Sequence, residues 1–355
     1  MNKFKQYMHH IFIDGLSGMA LGLFSTLIIG TILAQIATLF SGDFGNWLNA
    51  VAGVAKSLTG VGIGVGVAYK FKEPALVTLS AATAGLVGAF ASKILAGAVL
   101  VDGAITLAGP GEPLGAFVGA FVGVEIGHLV SGKTKIDILV TPLVTIIVGA
   151  GIGLLVGPPI SAFMTWVGEL INWGAVQQPL LMGIIVSVLM GVALTLPISS
   201  AAIGVVLGLS GIAAGAATVG CCCQMVGFAV MSYRENKLGG LLAQGVGTSM
   251  LQMPNLVKKP ILWLPPVIAS AILGPISSVV FRMTSNPTGS GMGTAGLVGP
   301  IMTFQTMTGE GVGWVIVLLE ILLMYVVAPA LITLGISEFM RKKGWIQFGD
   351  LKLDL

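Results

Sequence analysis

The charged residues of the chain divide it into long apolar stretches. Uncharged stretches occupy 15–42, 74–92, 138–168, 170–233, 238–257, 260–281, 283–309 and 321–337. Several of them contain the roughly 20 apolar residues with which a helix crosses a bilayer. The two-residue alternation of a membrane barrel is missing, and spanning segments must satisfy their own backbone hydrogen bonds. The pattern therefore predicts an all-α, polytopic helical membrane protein.

The number of spans follows from the apolar segments and from the basic clusters at their ends. Apolar segments are predicted near 16–40, 47–68, 74–108, 114–130, 138–157, 180–196, 198–231, 238–256, 261–281, 294–308 and 312–336. The basic clusters are Lys3/Lys5, Lys70/Lys72, Lys133/Lys135, Arg234/Lys237, Lys258/Lys259 and Arg341/Lys342/Lys343.

The positive-inside rule places these clusters in the cytoplasm. An even number of crossings must then join any two clusters, which requires that pieces such as 94–108, 198–218 or 294–308 be re-entrant. We expect about ten transmembrane helices plus one or two re-entrant hairpins, with both termini cytoplasmic, in a bacterial cell membrane.

Two polar or amphipathic segments differ from the spans. Residues 338–355 form the longest polar segment, and they are too short to bury a core of their own. We therefore expect a membrane domain over 1–337 and a cytoplasmic amphipathic tail over 338–355. Segment 158–179 is bounded by prolines and contains Trp166 and Trp173, which predicts a helix that lies at the membrane interface.

Composition supports the membrane class and excludes others. Charged residues make up 9% of the chain, against roughly 25% in soluble proteins, so lipid must cover much of the surface. A net charge of +3 is too small to indicate nucleic-acid binding. The three cysteines are consecutive, Cys221 to Cys223, a spacing that suits neither a disulfide nor a metal site. Helix packing is the favoured role, with lipidation, metal or redox roles left open. No metal or cofactor is predicted.

Glycine spacing is informative in two places. Gly115, Gly119, Gly123 and Gly127 recur every four residues, which predicts a ridge of bare backbone for close helix packing. In 60–66 every second residue is glycine. That spacing suits either an irregular, partly extended cavity wall or an ordinary, tightly packed helix.

Ionisable groups inside spans are expensive and tend to face a protein interior or a cavity. Glu125 and His128 lie opposite the glycine ridge, three residues apart, and form either a binding site or an ion pair near the cytoplasmic end. Structural roles are the default for the other buried charges, which are Lys56, Lys93, Asp102, Glu169 and Glu320.

Two Gly-Glu-x-x-Gly turns contain Glu112 and Glu310. Before the second turn, five glycines and two prolines interrupt 286–300, which predicts either a re-entrant hairpin or a long flexible loop. In the first case Asn286, Thr294 and Glu310 line a polar cavity suited to neutral polyols, because carboxylates accept and amides donate hydrogen bonds to hydroxyls.

Three further stretches are Gly115 to Gly123 (GAFVGAFVG), Lys133 to Val144 (KTKIDILVTPLV) and Leu155 to Ile160 (LVGPPI). Together they resemble the membrane permease component, EIIC, of bacterial phosphotransferase sugar transporters. The whole chain is most similar to the stand-alone EIIC-like branch that includes the perfringolysin-regulator type of protein. The resemblance implies a homodimer that carries sugar by an elevator-like movement. It also implies a glutamate and a histidine that hold the sugar while a separate EIIB phosphocysteine phosphorylates it.

The family glutamate corresponds to Glu310, in Thr308-Gly-Glu310, or to Glu112, in Gly111-Glu112-Pro113, and the family histidine corresponds to His128. We therefore expect a sugar or polyol permease in contact with lipid and without a catalytic or phosphocarrier group of its own. Phosphorylation by separate cytoplasmic EIIB and EIIA proteins, a sensor that keeps the cavity, and ion-coupled transport are left open. The expected sugar-binding residues are Glu310, Glu112, His128, Glu125, Asn286, Thr294 and Thr308.

Overall fold

The computed structural model describes residues 7, 10–101 and 103–353, so the predictions for Lys3, Lys5 and Asp102 lie outside the described residues. Helices make up 79% of the chain. The sheet in the described part is one antiparallel pair of two-residue strands, β1 (Leu100–Val101) and β2 (Ala104–Ile105). The predicted all-α class is therefore confirmed.

The chain divides into two compact units, Met1–Phe163 together with Leu355 (unit 1) and Met164–Asp354 (unit 2). The first helices in chain order are α1 (His10–Ala37), α2 (Asp43–Ser57), α3 (Thr59–Lys70), α4 (Ala75–Ala89), α5 (Ala91–Leu95), α6 (Pro113–Val130) and α7 (Asp137–Ala175). They are followed by α8 (Pro179–Thr195), α9 (Ser200–Val206), α10 (Gly211–Met231), α11 (Tyr233–Leu242), α12 (Met253–Lys258), α13 (Pro260–Phe281), α14 (Pro287–Ser290), α15 (Val298–Gly309) and α16 (Trp314–Lys342).

Six helices of the described part are long and apolar enough to cross a membrane: α1, α6, α7, α10, α13 and α16. A seventh span results if α2 and α3, which are bent by 51° at their junction, are taken as one. The helices α4 and α8 are apolar but shorter. The membrane class is thus supported, while the predicted count of about ten helices is not confirmed.

Three predicted segment boundaries differ in the structure. The prediction of a separate interfacial helix at 158–179 is wrong, because α7 continues through Pro158 and Pro159. Membrane helices tolerate proline where neighbouring groups satisfy the backbone, and the Ser92 hydroxyl donates to the Gly157 carbonyl at 3.2 Å. The predicted apolar segment 238–256 is broken into short pieces, because Thr248 is extended. The last helix continues to Lys342, past the predicted start of the tail.

Close backbone contacts between glycines hold unit 1 together. The segment 60–66 is regular α-helix within α3, so the predicted extended cavity wall is wrong and the packed-helix alternative is right. A Cβ on Gly60 would lie 2.8 Å from the Gly85 carbonyl of α4, and one on Gly62 would lie 2.8 Å from the Gly22 carbonyl of α1. Two faces of α3 therefore need glycine, which explains the two-residue spacing.

The glycine ridge of α6 is confirmed. A Cβ on Gly119 would lie 3.0 Å from the Ala84 carbonyl of α4, and one on Gly123 would lie 2.9 Å from the Thr145 carbonyl of α7. The ridge thus lets the backbones of three helices approach closely, as small residues do in membrane bundles.

Helix α10 is the core of unit 2. Every residue from Ala214 to Ala229 is buried, and α8, α13 and α16 pack around it. Cys221, Cys222 and Cys223 are fully buried, unpaired thiols within this helix. They occupy the packing positions that the sequence favoured for them.

Candidate functional site

The first part of the site is a break between α8 and α9. Helix α8 ends at Thr195, and Leu196 is extended because it precedes Pro197, which disfavours helical backbone. Helix α9 then runs beside α14: the Ser200 hydroxyl donates to the Gly291 carbonyl at 2.7 Å. After α9, Gly211 begins α10.

The second part is a hairpin made of 285–310. At its base, Ser285 and Gly211 exchange two backbone hydrogen bonds of 3.1 and 3.2 Å, and the Thr284 hydroxyl donates to the Glu310 carboxylate at 2.7 Å. At its tip, a Cβ on Gly293 would lie 2.8 Å from the backbone of Cys221. Both ends of the hairpin therefore lie at the first turns of α10, and its tip lies against the middle of that helix.

The backbone of the hairpin tip is irregular, as the sequence predicted for 286–300. Asn286 caps α14 by accepting from the Gly289 amide at 2.9 Å, and Pro287 begins that helix. Gly293, Gly296 and Leu297 all have positive φ. A left-handed leucine is strained, and such strain is typical of functional segments.

The third part approaches from the opposite end of α10. Between α11 and α12 the chain forms a π turn (Ala243–Gly247), an extended residue at Thr248 and a 3-10 turn (Ser249–Gln252). The Gly245 carbonyl accepts from the Thr294 hydroxyl of the hairpin tip at 2.5 Å. The Ser249 hydroxyl lies 2.8 Å from that of Thr195, at the end of α8. Three breaks in helical structure thus meet beside the middle of α10.

A fully buried amide lies beside the first and the third of these breaks. The Thr195 hydroxyl is 3.5 Å from Gln224 Oε1, and Gln224 Nε2 has no hydrogen-bond partner among the residues that the structure describes. We call Thr195, Gln224, Ser249 and Thr294 the polar junction. Thr195 contacts Gln224 and Ser249, and Thr294 joins them through the Gly245 carbonyl of the third break. None of its four side chains is charged, and all four are buried.

Sequence reasoning singled out only Thr294 of the polar junction. The four residues come from four separate segments, so their spacing along the chain contains no signal. The one available signal was an amide, Gln224, inside an apolar span.

A buried network of amides joins the third break to the C-terminal tail. Gln252 donates to Gln244 Oε1 and Asn255 donates to Gln252 Oε1, each at 2.8 Å. The Leu351 carbonyl of the tail accepts from Asn236 at 2.8 Å and from Gln252 at 3.0 Å. Leu351 is itself fully buried, so the tail packs onto this segment of unit 2.

Ion pairs bring three of the predicted basic clusters to one end of unit 2. Arg341 pairs with buried Glu235 at 2.9 Å, and Arg234 pairs with Glu338 at 2.8 Å. Lys259 Nζ donates to the Asp350 carboxylate at 2.6 Å. The three clusters therefore lie together at one end of unit 2.

The pKa of Asp350 is lowered from its ordinary value. Burial favours its neutral form, but hydrogen bonds from Lys259 and from the Gln347 amide, and the charge of Lys259, favour the carboxylate more strongly. The charged form of Asp350 therefore stabilises the folded tail.

The structure does not bring the four predicted site residues of unit 2 together. Helix α15 has 12 residues and separates the tip from the turn that contains Glu310 by about 18 Å at 1.5 Å per residue. Glu310 is exposed at the base, near Thr284, while Thr294 is buried at the tip. Asn286 is a helix cap, and Thr308 donates to the Phe304 carbonyl of its own helix at 2.6 Å. The prediction of a single cavity that contains Thr294 and Glu310 is therefore wrong, because these residues lie at opposite ends of α15.

Unit 1 contains the other three predicted residues. Glu125 Oε1 accepts from His10 Nε2 at 2.8 Å, and the His10 ring stacks on Phe71 with centroids 3.8 Å apart. His128 bonds to the buried Glu73 at 3.0 Å. Each member of the predicted Glu125 and His128 pair thus has a partner from a distant segment, which the spacing within α6 does not indicate.

Glu112, the third of these residues, lies at the N-terminus of α6. It is half-buried, and its backbone amide donates to the Ala89 carbonyl at 2.7 Å.

A cavity of about 250 Å³ adjoins the hairpin tip. Its lining is almost entirely apolar, so it offers few partners for a polyhydroxy ligand but leaves free space beside Thr294 and Leu297. The lining residues are Val226, Ala229, Val230, Leu241, Leu242, Gly245, Val246, Thr294, Leu297, Val326 and Ala330.

The described residues contain no group of three or more His, Cys, Asp or Glu side chains arranged to hold a metal ion.

Comparison with known families gives one finding. The sequence profile of the family described as "Phosphotransferase system, EIIC" matches residues 13–353, nearly the whole chain. Among proteins with curated descriptions, none matches the chain.

Proposed function

The chain belongs to the EIIC family of the phosphotransferase system, and from this premise we propose that it is a permease that binds a neutral sugar or polyol at the polar junction. Family membership makes it a membrane component of sugar transport. The location of the site and the class of its ligand are our proposal.

The observation that supports this site is the meeting of three chain breaks beside α10. Irregular backbone at membrane depth is tolerated where it is buried in protein or lines a cavity, and transporters form substrate sites from such discontinuous helices. Thr195 ends α8, Ser249 follows the extended Thr248, and Thr294 lies at the hairpin tip. Each break supplies one hydroxyl to the junction.

The chemistry of the junction suits an uncharged ligand. Hydroxyls and an amide both donate and accept hydrogen bonds, as the hydroxyls of a sugar require. A phosphate or carboxylate would find no cationic side chain among the four junction residues. A sugar therefore enters unphosphorylated, and any phosphoryl group comes from separate cytoplasmic EIIB and EIIA partners.

The junction is closed in this structure, since its four side chains are buried. Sugar entry requires the hairpin tip to move, and the apolar cavity beside Thr294 and Leu297 provides room for that movement. The left-handed backbone of Leu297 gives the tip a strained conformation that such a movement would release.

The positive-inside rule orients the protein in this proposal. The end with Arg234, Lys259 and Arg341 faces the cytoplasm, together with the tail 338–355, and the membrane domain covers 1–337. The hairpin base then faces outward, where exposed Glu310, with Asn286 and Thr308, makes the first contact with sugar. The family resemblance adds a homodimer in a bacterial cell membrane.

For the residues of unit 1 we propose a different role. Glu125 and His128 form hydrogen bonds with His10 and Glu73, so they stabilise unit 1 in preference to holding sugar. Glu112 remains the candidate sugar contact of unit 1.

The permease proposal is tested by measuring the uptake of labelled hexoses and hexitols into vesicles. These vesicles also contain a phosphorylated EIIB partner. The native chain should accumulate at least one of these compounds, and Thr294→Val should reduce that uptake at least tenfold. The control is Thr306→Val, since among the described residues the Thr306 hydroxyl bonds only to the Met302 carbonyl of its own helix, at 2.8 Å. Equal uptake by Thr294→Val and the native chain would contradict the proposed site.

A second candidate, a sensor, is favoured by the amide network. Asn255, Gln252 and Gln244 link the tail to the break that contains Ser249. A ligand that displaces this break would thereby loosen the tail. Sugar-dependent cleavage of the tail by protease, with no uptake of the same sugar, would support a sensor in place of a permease.

A further inference from the structure

We infer that Gln224 is the specificity-determining residue of the polar junction: one end of its side-chain amide binds a hydroxyl group of the ligand. This inference rests on the proposed function, because it assigns a contact within the same site. Gln224 is not among the residues that the family resemblance indicates.

Geometry places the amide at the edge of the junction. Helices α8 and α10 cross at Gly191 and Gly220, and a Cβ on Gly191 would lie 3.0 Å from Gln224 Cγ. Gly191 therefore makes the room that the glutamine side chain occupies. The Thr195 hydroxyl lies one turn further along α8 and is 3.5 Å from Gln224 Oε1.

The amide is only partly satisfied, although its residue is fully buried. Thr195 is the hydrogen-bond partner of Oε1, and Nε2 has no partner in the described part of the chain. Burying an unpaired polar group is unfavourable, so a residue that served only packing would be apolar.

Other buried glutamines in unit 2 show the contrast. Gln244 Nε2 donates to Ser232 Oγ at 2.8 Å and to the Gly240 carbonyl at 2.9 Å. Gln252 Nε2 donates to Gln244 Oε1 and to the Leu351 carbonyl. Both amides belong to the structural network, whereas that of Gln224 lies beside the chain breaks and retains an unused end.

A hydroxyl group is the ligand chemistry that fits. It donates and accepts, so it can pair with either end of the amide. Amide N–H groups carry partial positive charge and repel a metal cation. The junction residues have no positively charged side chain that would bind an anion. The Thr195 and Ser249 hydroxyls, 2.8 Å apart, can bind an adjacent hydroxyl of the same ligand. Vicinal hydroxyls, as in sugars and polyols, match this pair of neighbouring partners.

Thermal unfolding of the full-length chain in detergent, without ligand, tests the inference first. Gln224→Met keeps the side-chain length and removes the unpaired amide, so its Tm should rise by about 2–4 °C. The matched control is Gln244→Met, which removes satisfied hydrogen bonds and should lower the Tm. A Gln224→Met protein that is less stable than the native chain would overturn the inference, because its amide would then be satisfied within the protein.

The same proteins are then heated with a panel of uncharged hexoses and hexitols at millimolar concentration. At least one compound should raise the Tm of the native chain, since a ligand that binds only the folded state stabilises it. Gln224→Met should lose that increase. If it keeps the full increase, the role of Gln224 is wrong while the proposed function stands. If no compound shifts the native Tm, the proposed sugar site itself fails.

Discussion

Substitution of Gly220 tests whether the close approach of α8 and α10 holds the polar junction in place. In Gly220→Ala, the added Cβ would lie 2.6 Å from the Cα of Ser187 and closer still to its carbonyl. Ordinary contacts between carbon atoms are about 3.5–4.0 Å. Because the obstructing atoms are backbone, no side-chain rotation relieves the clash, and α8 must shift away from α10 by about 1 Å.

The magnitude follows from three contributions. Overpacking in a core costs about 1–3 kcal/mol. Displacing α8 also weakens the hydrogen bond between Thr195 and Ser249, which contributes about 1 kcal/mol. The change from glycine to alanine within a helix returns about 1 kcal/mol. We therefore expect Gly220→Ala to lower the free energy of unfolding by about 1–3 kcal/mol.

The assay is equilibrium unfolding of the purified chain in mixed micelles, followed by far-UV circular dichroism. The control is Gly335→Ala in α16, where an added Cβ meets nothing within 4 Å. That variant should be unchanged or more stable by up to about 1 kcal/mol. Equal stability of Gly220→Ala and Gly335→Ala would refute the claim that this crossing tolerates only glycine.

Two further predictions concern the basic end of unit 2. Arg341→Gln should lower the free energy of unfolding by about 3–5 kcal/mol, because it leaves the buried Glu235 carboxylate without its cationic partner. Arg234→Gln removes the more exposed pair with Glu338 and should lower the free energy of unfolding by less than about 1 kcal/mol. Equal costs in urea unfolding would contradict this difference in burial. Asp350→Asn should lower the free energy of unfolding at pH 7 by about 1 kcal/mol. Because the folded pKa of Asp350 is lowered, its charged form stabilises fully above the ordinary carboxyl pKa of about 4. The difference should shrink as the pH falls below that value and disappear once the pH is below the folded pKa. A difference that persists at lower pH would contradict the role of the Lys259 pair.

Features governed by length and local spacing could be predicted from the sequence. The helical membrane class follows from uncharged stretches such as 15–42, which lies largely within the 28-residue α1. The ridge of α6 follows from glycines four residues apart, since that spacing aligns them on one face. The irregular backbone of 286–300 follows from its glycine and proline content.

Features that depend on contacts between distant segments could not be predicted. Thr195 contacts Gln224 and Ser249, and Thr294 contacts Gly245, only because three breaks converge on α10. Proximity in sequence also misled: Glu310 follows the glycine-rich segment closely, yet α15 carries it to the other end of the hairpin.

The pairs of unit 1 show the same limit. His10 and Glu125 are 115 positions apart, so the spacing within α6 gave no hint of their contact. Continuity across Pro158 and Pro159 depends on the surroundings of α7, including the Ser92 hydroxyl, and local propensity alone predicted a boundary there.

The most direct test of the sugar site is an experimental structure of the full-length chain with a hexose or hexitol that raises its melting temperature. We expect ligand density within hydrogen-bonding distance of the Gln224 amide and the Thr294 hydroxyl, with the hairpin tip displaced toward the apolar cavity. Ligand density confined to the turn around Glu310, with Gln224 still enclosed, would contradict it.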